Sequence, residues 1–190
     1  TSRLLSSIKG LEKMGFKGIL CEGVDRLLKG RTPNYLYQPA GSLKIKTFLK
    51  NYSLSDDIAF RFSDRNWKEW PLQADTFASW VHQIAGNGEV LNLFMDYETF
   101  GEHQWEETGI FDFLDYLPKE IMSHSDFDFK TLSEAADSYK VRDIYDAPDF
   151  ISWADAERDL SAWLSNPMEK EAAKRIYALE ERVIKSENKD

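Results

Sequence analysis

Apolar residues recur along this chain at two spacings, and the spacing predicts which segments are helix and which are strand. In "LLSSIKGLEKMG" Leu4, Leu5, Ile8 and Leu11 fall three or four apart and Gly15 follows, which predicts a helix stopping there. "FKGILCEG" is a short apolar run ending at Glu22 and reads as a buried strand. Leu43, Ile45 and Thr47 alternate in "GSLKIKTFLKN", and Ile58, Phe60 and Phe62 alternate in "SLSDDIAFRFS", so a strand is expected in each. "ADTFASWVHQIAGNG" places Phe77, Trp80, Val81 and Ile84 on one helical face and stops at Gly86 and Gly88. "EVLNLFMDYE" then gives the most convincing strand of the chain.

Strands separated by helices predict an α/β fold, a parallel sheet or barrel with crossover helices. Chemistry in such folds sits at the C-terminal ends of strands, which puts Asp96, Glu98, Glu22 and Asp64 on one rim. After Gly109 the pattern changes. "IFDFLDYLPKEIMSH", "DFKTLSEAADSYK" and "ADAERDLSAWLSNPMEKEAAKRIYALEERVIKS" are rich in helix formers with no good strand between them, Asp155 is a candidate cap, and Pro167 suits a first helical turn. The expected organisation is later barrel strands and helices over residues 1–109 and a helical region over residues 110–190 packed on them.

Composition narrows the partners. With 42% hydrophobic residues, 190 residues bury one substantial core or two smaller ones. A net charge of −9 argues against nucleic-acid backbones and anionic membranes, which need a basic surface. Aromatics at 14% exceed the needs of packing and favour a flat ligand such as a sugar. Cys21 is the only cysteine, so no intrachain disulfide forms and a reducing, cytoplasmic location is the simpler reading. No run of about 18 apolar residues occurs, so no membrane partner is expected.

Candidate chemistry concentrates in "VLNLFMDYETFGEHQW". Paired carboxylates allow one to donate a proton while the other stabilises charge or attacks. Asp96 and Glu98, two apart, share a face if the strand continues, and Glu102, His103 and Trp105 follow in the same loop. An acidic loop with a helix cap explains the same letters, and spacing alone does not decide. Asp96, Glu98, Glu102 and His103 are all metal-ligand types, but neither His82 nor His124 lies at ligand spacing and both read as surface or packing residues, so no metal is expected. No base accompanies Cys21, and "GNG" precedes a strand where a dinucleotide loop follows one, so no cofactor is expected either.

"FMDYETFGEHQW", with "GFKGILCEG", "YSLSDDIAFRFS" and "DFISWADAERDLSAWLSN" in the same order, resembles glycoside hydrolase family 57 and in particular its α-amylase-like members. That resemblance implies part of an incomplete (β/α)7 barrel with parallel strands, then a helical region, and retaining cleavage or transfer at α-1,4-glucosidic bonds of a glucan or malto-oligosaccharide. By position it makes Asp96 the general acid/base and Glu98, His103 and Trp105 substrate-binding residues. "ISWADAERDL" likewise implies that Trp153 and Asp155 bind sugar, although a packing Trp beside a capping Asp reads equally well. Asp56, Asp57 and Arg61 read as a buried charge network supporting the barrel.

The family's nucleophile, a glutamate in a motif upstream of "GFKGIL", is not in this sequence, and Glu22 does not match that motif. The implied reading is a section of a longer α-amylase or 4-α-glucanotransferase type enzyme, inactive alone, that associates through the exposed barrel edge with the missing half or with itself. The alternative is a carbohydrate-binding or assembly protein of the same fold that does not turn its ligand over.

Overall fold

The computed structural model describes residues 3–42, 44–154 and 156–186. They fall into two compact units, Thr1–Asp146 and Ala147–Asp190. The first holds helix α1 (Arg3–Lys13), strand β1 (Gly18–Glu22), α2 (Asp25–Leu28), β2 (Leu36–Pro39), β3 (Lys46–Lys50), α3 (Tyr52–Asp56, running on through a π-helical turn, Asp57–Arg61), α4 (Ala74–His82), α5 (Ile110–Met122), α6 (Leu132–Ser138) and β4 (Val141–Tyr145).

The four strands make one sheet in the order β1-β3-β2-β4. β1 and β3 are parallel in register from Gly18 opposite Lys46 to Glu22 opposite Lys50, and β2 is parallel to β4. The sheet is thus mixed α/β as expected, but not wholly parallel: β2 runs antiparallel to β3, with Tyr37 opposite Thr47. The connection between them, residues 40–45, is too short for a crossover, which takes about a dozen residues or more.

The strands differ from expectation in two ways. "SLSDDIAFRFS" is helical. Asn51 caps it by accepting the Leu54 N–H at 3.2 Å. Leu54, Ile58 and Phe62, four apart, then form a stripe on the core, while Phe60, counted inward by the alternation, is 73% exposed. β4 was not expected at all, because in "VRDIY" only Tyr145 is buried and an edge strand so exposed carries no apolar alternation.

The main core joins α3, α4 and α5 through Ile58, Phe62, Phe77, Val81, Ile110, Phe113 and Leu117. Phe113 packs edge-on against Phe62 and Phe77, with ring centroids 5.1 and 5.7 Å away. A second cluster sets Ala135 and Ala136 of α6 on Leu36 and Phe48 of the sheet. Residues 110–146 supply α5, α6 and β4 to the first unit, and α5 brings Ile110, Phe113, Leu117 and Ile121 to its main core.

The second unit contains α7 (Ser161–Leu164), α8 (Pro167–Ala178) and α9 (Glu180–Lys185). α8 begins at Pro167 as expected, with Asn166 and Glu169 forming a reciprocal capping box.

Candidate active site

The segment expected to be the best strand is extended but has almost no ladder. Leu91, Leu93 and Met95, alternate residues, pack on the α3–α4–α5 core as the apolar pattern predicts. Its backbone partners are different in kind. Lys50 and Asn92 make one isolated parallel bridge. The Asn92 carbonyl accepts the Asn51 N–H at 2.9 Å, and the Asn92 amide donates to the Leu49 carbonyl at 3.1 Å. The Phe94 N–H donates to Ser55 Oγ at 3.1 Å, and that hydroxyl donates to the Asn51 carbonyl at 2.7 Å. β3 ends at Lys50 and the chain turns into α3, so polar side chains satisfy the backbone where strand pairing stops.

Asp96 keeps the extended conformation and a single 3-10 turn, Tyr97–Thr99, follows. The loop then doubles back. The Glu98 carbonyl accepts from the N–H groups of Glu102 and His103, at 3.1 and 3.0 Å, and Gln104 N–H donates to the Thr99 carbonyl at 2.9 Å. Gly101 turns this loop at φ 113°, a region side chains disfavour. The result brings a side-chain oxygen of Asp96, one of Glu98 and a ring nitrogen of His103 within 4.8 Å of one another, all three residues exposed. Strand alternation was expected to juxtapose the two carboxylates; a turn does it instead. Trp105 stands in the same loop, 64% exposed, with its indole N–H donating to the Glu102 carbonyl at 2.7 Å. Two carboxylates, an imidazole and an open aromatic face can bind a polyhydroxylated ring and pass a proton to it. Three ligand atoms at this separation also lie within reach of one cation, and exposed acidic groups adopt such spacing without one.

The remaining candidates lie elsewhere. Trp153 belongs to the second unit, where it packs edge-on to Trp163 at 6.4 Å, and Asp155 lies outside the described residues. Glu22, at the end of β1, and Asp56 flank the buried ammonium of Lys50 at 3.8 and 3.7 Å. Asp57 pairs with Arg61 at 2.6 Å; burial raises its carboxyl above the ordinary range, and Arg61 opposes that rise. Asp56 and Asp57 are thus ion-paired, one with Lys50, which was not foreseen, and one with Arg61, whose side chain is 39% exposed. Asp64 is not at a strand end: it follows α3 and its carboxylate accepts the Asn66 N–H at 2.9 Å. Burial pushes the Cys21 thiol up to about 11, which keeps it from acting as a thiolate. His82 and His124 pack against each other at 5.1 Å, with Phe127 beside both. Ser55, Asn92 and Gln104 were not singled out from the sequence. Asn92 alone had a signal, a polar residue set into the apolar run "VLNLFM"; Ser55 and Gln104 sit among polar neighbours and had none.

The model of glycosyl hydrolase family 57 matches residues 6–148 of this chain. A curated protein of Methanocaldococcus jannaschii named "Putative alpha-amylase" is 47% identical over 178 residues, covering 93% of this chain. The chain spans 37% of that relative's length. No solved structure matches. The match across most of the chain, including the Asp96 loop, places the chain in glycosyl hydrolase family 57.

Proposed function

We propose that this chain is a section of a retaining α-glucan-active hydrolase or 4-α-glucanotransferase and that Asp96 is its general acid/base. The observation that carries this reading is the exposed grouping of Asp96, Glu98 and His103 on one hydrogen-bonded loop beside Trp105. Asp96 protonates the departing glycosidic oxygen and then takes a proton from the water or sugar that resolves the intermediate. Glu98 and His103 hold sugar hydroxyls, and Trp105 offers a ring face. Trp153 and Asp155 are carried as further sugar contacts on the resemblance of "ISWADAERDL".

A retaining cycle needs a second carboxyl group about 5–5.5 Å from the first. Glu22 is a poor choice for it, buried beside Lys50 with only 10% of its side chain exposed. The nucleophile is therefore assigned to a part of the enzyme outside this chain. β1 is an outer strand of the sheet, and Leu20 on it is 53% exposed. Further barrel strands, or a second copy, would pair along that edge.

The test is reducing-end release from maltoheptaose by the full-length enzyme and its Asp96→Asn variant. The expected loss is about 10²- to 10⁴-fold, and a rate within a few-fold of the parent overturns the assignment. The 190-residue chain alone is expected to be inactive; turnover by it that disappears with Asp96→Asn means a nucleophile is present in this chain and makes Glu22 the first candidate.

A further inference from the structure

The loop that carries Asp96 is gripped at both ends by one face of one helix. Upstream, Phe94 N–H donates to Ser55 Oγ at 3.1 Å, two residues before Asp96. Downstream, the Gln104 side-chain amide donates to the Ala59 carbonyl at 2.9 Å, one residue after His103. Ser55 and Ala59 are four apart on the continuous helix Tyr52–Arg61, and so lie one above the other. Ala59 sits in its π-helical turn, close to the end, where helix carbonyls run out of backbone partners and accept side-chain donors.

Both grips are shielded from water. Ser55 is fully buried and Gln104 is 3% exposed, so solvent does not compete for either bond. The Ser55 hydroxyl is itself oriented by donating to the Asn51 carbonyl at 2.7 Å. The neighbouring stripe of the helix, Leu54, Ile58 and Phe62, is fixed in the core. Asp96, Glu98 and His103, between the two grips, are exposed, while Ser55, Ala59 and Gln104, which hold them, are buried. Such a division suits a site whose reactive side chains are set by a rigid supporting layer.

We infer that Ser55 and Gln104 are positioning residues for the acid/base step: they fix the height and orientation of the Asp96 carboxyl without touching substrate. This rests on the assignment of Asp96 above and adds to it which residues make that carboxyl effective. Tethering Phe94 and Gln104 to one helix leaves the intervening backbone little freedom to carry Asp96 away from a glycosidic oxygen. Misplacing a catalytic group by about 1 Å costs on the order of 10²-fold in rate, so one lost grip is expected to cost at least about tenfold.

The experiment uses two substrates of the full-length enzyme. Maltoheptaose needs its leaving oxygen protonated. In α-maltosyl fluoride the C–F bond breaks to release fluoride ion, the sugar carbon bonds to the nucleophile, and no general acid is required. The quantity kcat/KM reports this first step for both. Gln104→Leu and Ser55→Ala are expected to lower kcat/KM on maltoheptaose by about tenfold or more while leaving α-maltosyl fluoride within about threefold of the parent. Ser55→Thr, which keeps the hydroxyl, is expected to retain most of the maltoheptaose activity. Equal slowing of both substrates by the grip variants, with Asp96→Asn still selective, overturns the positioning role alone. Asp96→Asn slowing both substrates equally overturns the acid assignment beneath it. Should Gln104→Leu fail to fold, Ser55→Ala is the smaller change and carries the same comparison.

Discussion

β3 (Lys46–Lys50) and residues 89–96 are both extended, both pack apolar side chains into the interior, and are joined by a single bridge between Lys50 and Asn92. They are held in opposite ways. β3 is fixed by parallel pairing with β1 along its whole length, a bond pattern that any non-proline side chain permits. The second segment is fixed by Asn92, Ser55 and, beyond the loop, Gln104, so its course depends on particular side chains. A ladder tolerates substitution. A strap made of side chains does not, and it leaves the loop it holds free of the sheet, where exposed carboxylates can meet a substrate.

The sharpest way to break this comparison is at Lys50, the residue shared by both regions. Its ammonium, 9% exposed, lies 3.8 Å from Glu22 and 3.7 Å from Asp56. Lys50→Met keeps the apolar stem and removes the charge, leaving the carboxylates of Glu22 and Asp56 without that cation. The expected cost is about 3–5 kcal/mol by urea unfolding of the chain. A loss under about 1 kcal/mol shows that the ladder alone holds this corner.

The second test lies on the strap. Asn92→Ala removes the donor to the Leu49 carbonyl while leaving the backbone bond from Asn51 in place. A half-buried hydrogen bond of this kind is expected to contribute about 1–2 kcal/mol. If the difference is real, proteolysis or hydrogen exchange will show residues 89–104 loosening before the β1–β3 ladder does. Equal protection of the two regions in Asn92→Ala would show that the apolar contacts of Leu91, Leu93 and Met95 suffice.

The same contrast decides what the sequence discloses. β1, the β3 run, α1, α4, α5 and the Pro167 start of α8 are legible because each follows a periodicity or a cap. The Asp96 loop is legible as a candidate site because carboxylates, a histidine and a tryptophan crowd one turn, and it lies within the residues that match the family. What is not legible has one cause. Leu54, Ile58 and Phe62 satisfy a helical stripe while Ile58, Phe60 and Phe62 satisfy a strand face, and only the Asn51 cap and the burial of neighbours choose between them. β4 and the two grips on the loop depend on partners far away in sequence, which local pattern does not contain.

The smallest effect is expected where an exposed side chain decorates the ladder. Asp143 on β4 accepts the Ile144 N–H at 2.7 Å and pairs with Arg31 at 2.7 Å; the backbone donor first, and Arg31 second, hold its carboxyl below the ordinary aspartate range. A depressed folded pKa means the charge stabilises the fold above the unfolded value, about 3.9, and that this contribution is lost as pH falls through the folded value. Asp143→Asn is therefore expected to lower the urea midpoint slightly at pH 7, with the difference from the parent shrinking below about pH 4. The shift stays small because Arg31 remains bonded to the carbonyls of Leu27, Leu28 and Ile144, at 3.0, 2.8 and 2.8 Å. The pairing of β4 with β2 does not use this carboxylate either. An effect at pH 7 larger than that of Asn92→Ala, or one unchanged at pH 3, would mean that side chains and not the ladder hold β4, and the distinction between the two regions would fall.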